Sequence, residues 1–170
     1  MYLSNANVIT HRLFLAAFDD KRMKEAEESC RQGADRFPKD FRFANCQLQL
    51  MSWGVGTLDA NRAWQLAELT EQLSPAEGER PYRRAESRVL VGLVLARLGR
   101  VDSARALLAQ PVSAEVDPTR DIDTYAERGW LLLGDTAKAL ESLDRYRKAN
   151  PRLGDLCTSD PAHWACTWRK

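Results

Sequence analysis

The chain has 170 residues, 44% of them hydrophobic and 29% charged, with a formal net charge of +1. That length can bury a core without metal or disulfides, and the charge balance lacks the basic excess of a nucleic-acid or anionic-membrane binder. The longest apolar run, Val89–Ala96 with Gly92 inside it, falls far short of the roughly 20 residues a bilayer span needs.

Helical periodicity of apolar residues runs through the chain, and no stretch sustains the period-two alternation of a strand. Ile9, Leu13, Ala16 and Ala17 predict the inward stripe of a first helix. Met23, Ala26, Cys30, Ala34 and Phe37 predict that of a second, which Pro38 stops because proline disfavours helix in the preceding residue. A third is expected over Phe41–Trp53, with Phe43, Cys46, Leu50 and Trp53 on one side and Gly54 and Gly56 ending it. Asp59 is the expected N-cap of a fourth, running through Trp64, Ala67 and Leu73 and stopping before Pro75. The segment SPAEGERP reads as a loop. A fifth helix is expected over about 81–98, with Leu90, Val91, Val94 and Leu98 inward, and Gly99 ends it. A short sixth follows in RVDSARALLAQ, then a polar connector between Pro111 and Pro118. The seventh is expected from Thr119 to Leu133 and the eighth from Asp135 to Ala149, with Pro151 closing it.

Eight helices in four antiparallel pairs invite a search for a fixed period. A small residue early in each second helix aligns Ala26, Ala63, Ala104 and Ala139, at separations of 37, 41 and 35. Proline follows that alanine by 12 residues at Pro38, Pro75 and Pro151, and glycine precedes it by five at Gly99 and Gly134. Gly99 and Gly134 are expected to take the left-handed C-cap conformation. The alanines let paired helices approach, and the prolines stop each pair so that the next can stack.

This pattern resembles the tetratricopeptide repeat over about residues 8–151. The best matches are Gly92, Gly99, Ala104 and Leu108 in the third unit and Gly134, Ala139, Leu143 and Pro151 in the fourth. Unit one keeps Ala26, Gly33 and Pro38, and unit two keeps Ala63 and Pro75. Tyr146 and Pro111 depart from the small residue expected late in the second helix, and the family's tryptophan near the start of each pair is absent. The resemblance implies an all-α, irregular α-α superhelix of about four antiparallel pairs over residues 1–151, with 152–170 as a C-terminal capping tail. It also implies a protein-binding scaffold that takes a peptide or helix of its partner in a concave groove. The matching first-helix faces carry His11, Leu15, Leu48, Ser52, Val89, Leu93, Arg97, Thr124 and Arg128. No lysine–asparagine constellation is present there, so the clamp by which part of that family holds C-terminal carboxylates is not expected.

Arg80, Arg84 and Arg88 share one face of the fifth helix. They read either as a solvated face, partly neutralised by Glu77, Glu79 and Glu86, or as a contact patch for an acidic partner segment. No phosphate loop and no HExxH or GxSxG motif occurs, so no catalytic residue, cofactor or metal site is expected. In the tail, Cys157, Asp160, His163 and Cys166 have side chains that can bind metal, but their spacing matches no standard zinc pattern. A cap packed through Trp164 and Trp168, a metal site and a redox pair stay open.

The first residues lack the features of a signal peptide, so a cytoplasmic chain is expected, with cysteines as thiols and Cys30 and Cys46 as small core residues. Partners are expected to be proteins or peptides, with no nucleic acid and no membrane. The alternative is a self-associating, homodimeric regulatory fragment, the C-terminal part of a larger bacterial signalling or transcription-regulator protein.

Overall fold

The computed structural model describes residues 5–152, which form eight α-helices and no strand. The helices are α1 (Ala6–Asp19), α2 (Met23–Arg36), α3 (Phe41–Ser52), α4 (Ala60–Leu73), α5 (Arg80–Arg97), α6 (Val101–Leu108), α7 (Asp121–Leu132) and α8 (Thr136–Ala149). Their bounds follow local chemistry. Asp40 and Asp59 cap α3 and α4 by accepting backbone N–H groups at 2.8–3.1 Å. The start of α7 is set from farther back: buried Asp117 accepts the N–H groups of Asp121 and Ile122 at 3.1 and 2.9 Å. Arg120 lies in the left-handed region at φ 59°, which is why α7 begins two residues after Thr119. Residues 77–79 make one 3-10 turn inside the segment read as a loop.

All four odd-numbered helices end in the same backbone device, a Schellman cap. The N–H groups of Arg22, Val55, Arg100 and Asp135 reach back to the carbonyls of Ala17, Leu50, Leu95 and Trp130 at 2.8–2.9 Å. The residue before each donor has positive φ: Lys21 at 60°, Gly54 at 82°, Gly99 at 72° and Gly134 at 73°. The expected role of Gly99 and Gly134 therefore holds, and Gly54 and Lys21 complete the set.

Each odd helix packs against the even helix that follows it, and the aligned alanines sit in those contacts with at most 2% of their surface exposed. The odd helices α1, α3, α5 and α7 also touch one another in order, and α2, α4 and α6 each touch the next odd helix. Three clusters of buried side chains result. The first lies around Phe14, Phe43 and Leu50, the second around Leu48, Leu66 and Leu90, and the third around Leu93, Ile122 and Trp130. Each fully buried side chain of this size contributes about 1.5–3 kcal/mol. Helix α5 belongs to two of these clusters, and of residues 85–95 all but half-buried Arg88 are buried.

Three expectations change. Cys30 and Cys46 are not thiols but form a disulfide with Cα atoms 5.9 Å apart, because the apolar faces of α2 and α3 press together. On α1 the inward stripe is Phe14 and Ala17, with Phe18 half-buried beside them. Ile9 and Leu13 are 57% and 59% exposed, on a side of α1 that no described helix covers. Leu98, expected inward, is 37% exposed at the rim of α5, as Trp64 is 42% exposed on α4. The expected capping tail, with Cys157, Asp160, His163 and Cys166, lies outside the described residues.

Candidate functional site

The shared face of the odd helices is the natural place to look for a site. Its middle is filled from within. Asn45 and Gln49 of α3 are buried, and Gln49 Nε2 donates to the Tyr125 hydroxyl of α7 at 3.4 Å, so side chains of α3 and α7 meet across α5. Beside them Glu86 of α5 is 4% exposed, taking Arg83 Nη1 at 3.1 Å and Asn45 Nδ2 at 3.5 Å. Burial raises the Glu86 pKa, and Arg83 opposes that shift. Burial, with Glu86 next in weight, also pushes the Tyr125 phenol up, so it stays a neutral hydroxyl.

Toward the C-terminal ends of the odd helices, each one adds a side chain to a continuous row. Phe18 of α1 sits edge-on to Trp53, the residue capping α3, with ring centroids 5.1 Å apart. The guanidinium carbon of Arg128 on α7 lies 3.5 Å from the Trp53 ring centroid, a short cation–π stack. Arg97 of α5 donates Nε to the Ser52 carbonyl at 2.7 Å, and its guanidinium rests against Gly54. Burial, then the charge of Arg97, lowers the Arg128 pKa, and Glu127 counters both.

Of the expected groove residues, Leu48, Ser52, Val89 and Leu93 are core, none more than 2% exposed. Neighbouring pairs bury them, so they do not line an open surface. His11 is half-buried between Phe14 and Phe43, with centroids 5.9 and 6.3 Å away, and burial lowers its pKa, helped by Arg42. Leu15 is 36% exposed on the same side of α1. Thr124 turns its hydroxyl to the Asp121 carbonyl at 2.7 Å. Arg97 and Arg128 come together at this end of the face, Arg97 on the Ser52 carbonyl and Arg128 on an unsuspected partner, Trp53. Its place on an apolar helical stripe had suggested core, and no sequence signal singled it out for the face.

Arg80, Arg84 and Arg88 do not form one free patch. Arg84 Nε donates to both Glu71 carboxylate oxygens at 3.0 Å, Arg80 lies 3.9 Å from Glu77, and Arg88 donates to the Gln110 carbonyl at 3.3 Å. Among the described residues no three His, Cys, Asp or Glu side chains gather as a metal site, and no helix is long and apolar enough to cross a membrane. No protein-family model, no curated protein and no solved structure matches the chain.

Proposed function

We propose that the chain is a non-catalytic, tetratricopeptide-like scaffold that binds a peptide or helix of a partner protein on the face of its odd helices. The observation that carries this is the row Phe18, Trp53, Arg97 and Arg128, to which each odd helix contributes one side chain from near its C-terminal end or from its C-cap. Stacked helix pairs present such composite surfaces, because no single pair holds a site alone. The filled middle moves the working surface from the deep groove of the sequence reading to this end of the face. The disulfide weighs against the cytoplasmic placement, since such bonds persist in oxidising compartments.

A photo-crosslinking amino acid at Leu15, compared with one at exposed Gln72 on α4, tests the proposal in cells producing the full chain. Adducts with a defined protein at Leu15 and none at Gln72 are expected. No adduct at Leu15, or the same set from both sites, refutes it. A second reading, self-association, is favoured by exposed Ile9 and Leu13, on a side of α1 that no described helix covers. Sedimentation over a concentration series separates the two, since self-association requires the mass to rise with concentration.

A further inference from the structure

We infer that Arg97 and Arg128, held by Ser52 and Trp53, are the seat for an acidic side chain of a partner peptide, whose apolar neighbour rests on Phe18 and Leu15. This rests on the reading of the odd-helix face as the working surface and names the chemistry of what it takes.

Charge pairing points to it first. Arg22, Arg31, Arg42, Arg83, Arg84 and Arg145 all have carboxylate partners within 4 Å. Arg97 and Arg128 have none among the described residues, as exposed arginines such as Arg12 and Arg105 also have none, but these two are half-buried and lie close enough for the charge of Arg97 to depress the Arg128 pKa. Two like charges side by side on a half-buried face are costly unless an anion joins them.

Their geometry points the same way. Arg128 Nε is buried without a hydrogen-bond partner, yet its terminal nitrogens are not among the buried unpartnered atoms. Arg97 uses Nε on the Ser52 carbonyl and likewise keeps its terminal nitrogens uncommitted. The indole fixes one guanidinium plane and the carbonyl fixes the other. A ligand therefore meets donors already in place, and little side-chain freedom is lost on binding. Forked terminal N–H groups match a planar carboxylate. The apolar half is the Phe18 ring against Trp53, continued by partly exposed Leu15.

A nucleic acid fits poorly. The net charge of +1 provides no steering field, and Asp19 and Glu127 adjoin Phe18 and Arg128 in the chain, which disfavours a polyanion. A single carboxylate on a peptide is the occupant these features suit.

The test uses the full chain and three blocked hexapeptides, alternating leucine with glutamate, with glutamine or with phosphoserine. The reporter is the Trp53 indole N–H signal, assigned with Trp53→Phe. The glutamate peptide should shift that signal, and the glutamine peptide should bind about tenfold more weakly or worse, as expected for losing a charge-assisted contact. Arg97→Gln with Arg128→Gln should lose the glutamate preference, Arg128→Lys should retain only part of it, and Arg84→Gln, whose wild-type side chain is spent on Glu71, should bind as wild type. A circular dichroism spectrum checks that each variant is folded.

Equal binding of the glutamate and glutamine peptides overturns the inference, and so does an unaffected folded double variant. Phosphoserine binding tenfold tighter than glutamate replaces the carboxylate with a phosphate ligand and overturns it too. A Trp53 signal that ignores every peptide but broadens with protein concentration makes a second copy the occupant. In each of these cases the crosslinking result at Leu15 still decides separately whether the scaffold reading stands.

Discussion

Reducing the Cys30–Cys46 disulfide should weaken the fold without erasing it. The bond closes a loop with a sequence separation of 16. Restricting the unfolded chain over a loop of that length stabilises the native state by about 3 kcal/mol, somewhat over a hundredfold in the folding equilibrium. The helices it joins also share the cluster around Phe14 and Phe43, so reduced protein keeps its packing and stays folded. With a urea slope of about 2 kcal/mol per molar, the midpoint should fall by about 1.5 M. Both cysteines are at most 1% exposed, so a reductant must wait for α2 and α3 to part. Reduction of native protein should be slow and should accelerate steeply in urea below the midpoint. The assay is urea unfolding followed at 222 nm, with and without reductant, beside the Cys30→Ala, Cys46→Ala double variant. Non-reducing tryptic mapping must first show the two peptides linked, because Cys157 and Cys166 also occur in the chain. Coincident midpoints for fully oxidised and fully reduced protein refute the reasoning, as does a native protein whose Cys30 reacts at once with a thiol reagent.

Gly33→Ala should destabilise by about 1–3 kcal/mol, outweighing the roughly 1 kcal/mol of helix propensity gained, because a Cβ there overlaps the Phe43 ring. That ring is 1% exposed and stacked on Phe37 at 5.8 Å, so it has nowhere to retreat. Gly78→Ala, with nothing within 4 Å of its Cβ, is the control, and equal urea midpoints for the two variants would exclude the steric account. Lys21→Gly should raise stability by about 1 kcal/mol by relieving a left-handed conformation that L side chains resist, and a lower thermal midpoint than wild type would contradict this. Glu127 has its carboxyl pushed up to about 7 by burial, against the opposing charge of Arg128. The folded state therefore keeps a proton that the unfolded chain releases nearer 4.5, and this residue's contribution to stability is present at low pH and lost as pH rises toward 7. Glu127→Gln should match wild type near pH 4 and exceed it at pH 8, and an offset in urea midpoint that is the same at both pH values would disprove the assignment.

Helix order and pairing were legible because the chain marks them chemically. The alanines at 26, 63, 104 and 139 occupy the tight contacts, and Asp59 caps α4 as its position suggests. Gly54 reads in sequence as the end of the third helix, but neither it nor Lys21 carries the repeat's mark of a left-handed cap. Lys21 is not a glycine, and Gly54 lies nine residues before its alanine instead of five, because the turn from α3 to α4 is longer. The site was less legible. Helical phase puts Leu48, Ser52, Val89 and Leu93 on the odd helices, but whether such a face is open depends on what neighbouring pairs lay across it. Helical phase places Arg97 and Arg128 on this face, whereas Trp53, on which Arg128 stacks, carries the mark of a core residue. The disulfide was missed for a related reason: cysteines suited to an apolar face look the same in sequence whether they pack or bond.

The hydrogen bond from Gln49 to Tyr125 and the stack of Arg128 on Trp53 link the second helix pair to the fourth over the top of the third. An ideal solenoid can gain or lose a repeat because its stability adds up from one junction at a time. These two ties skip a junction. Excising α5 and α6 and rejoining the chain would strand their partners, so this array should melt as one cooperative unit and resist the shortening or lengthening that consensus repeat proteins tolerate.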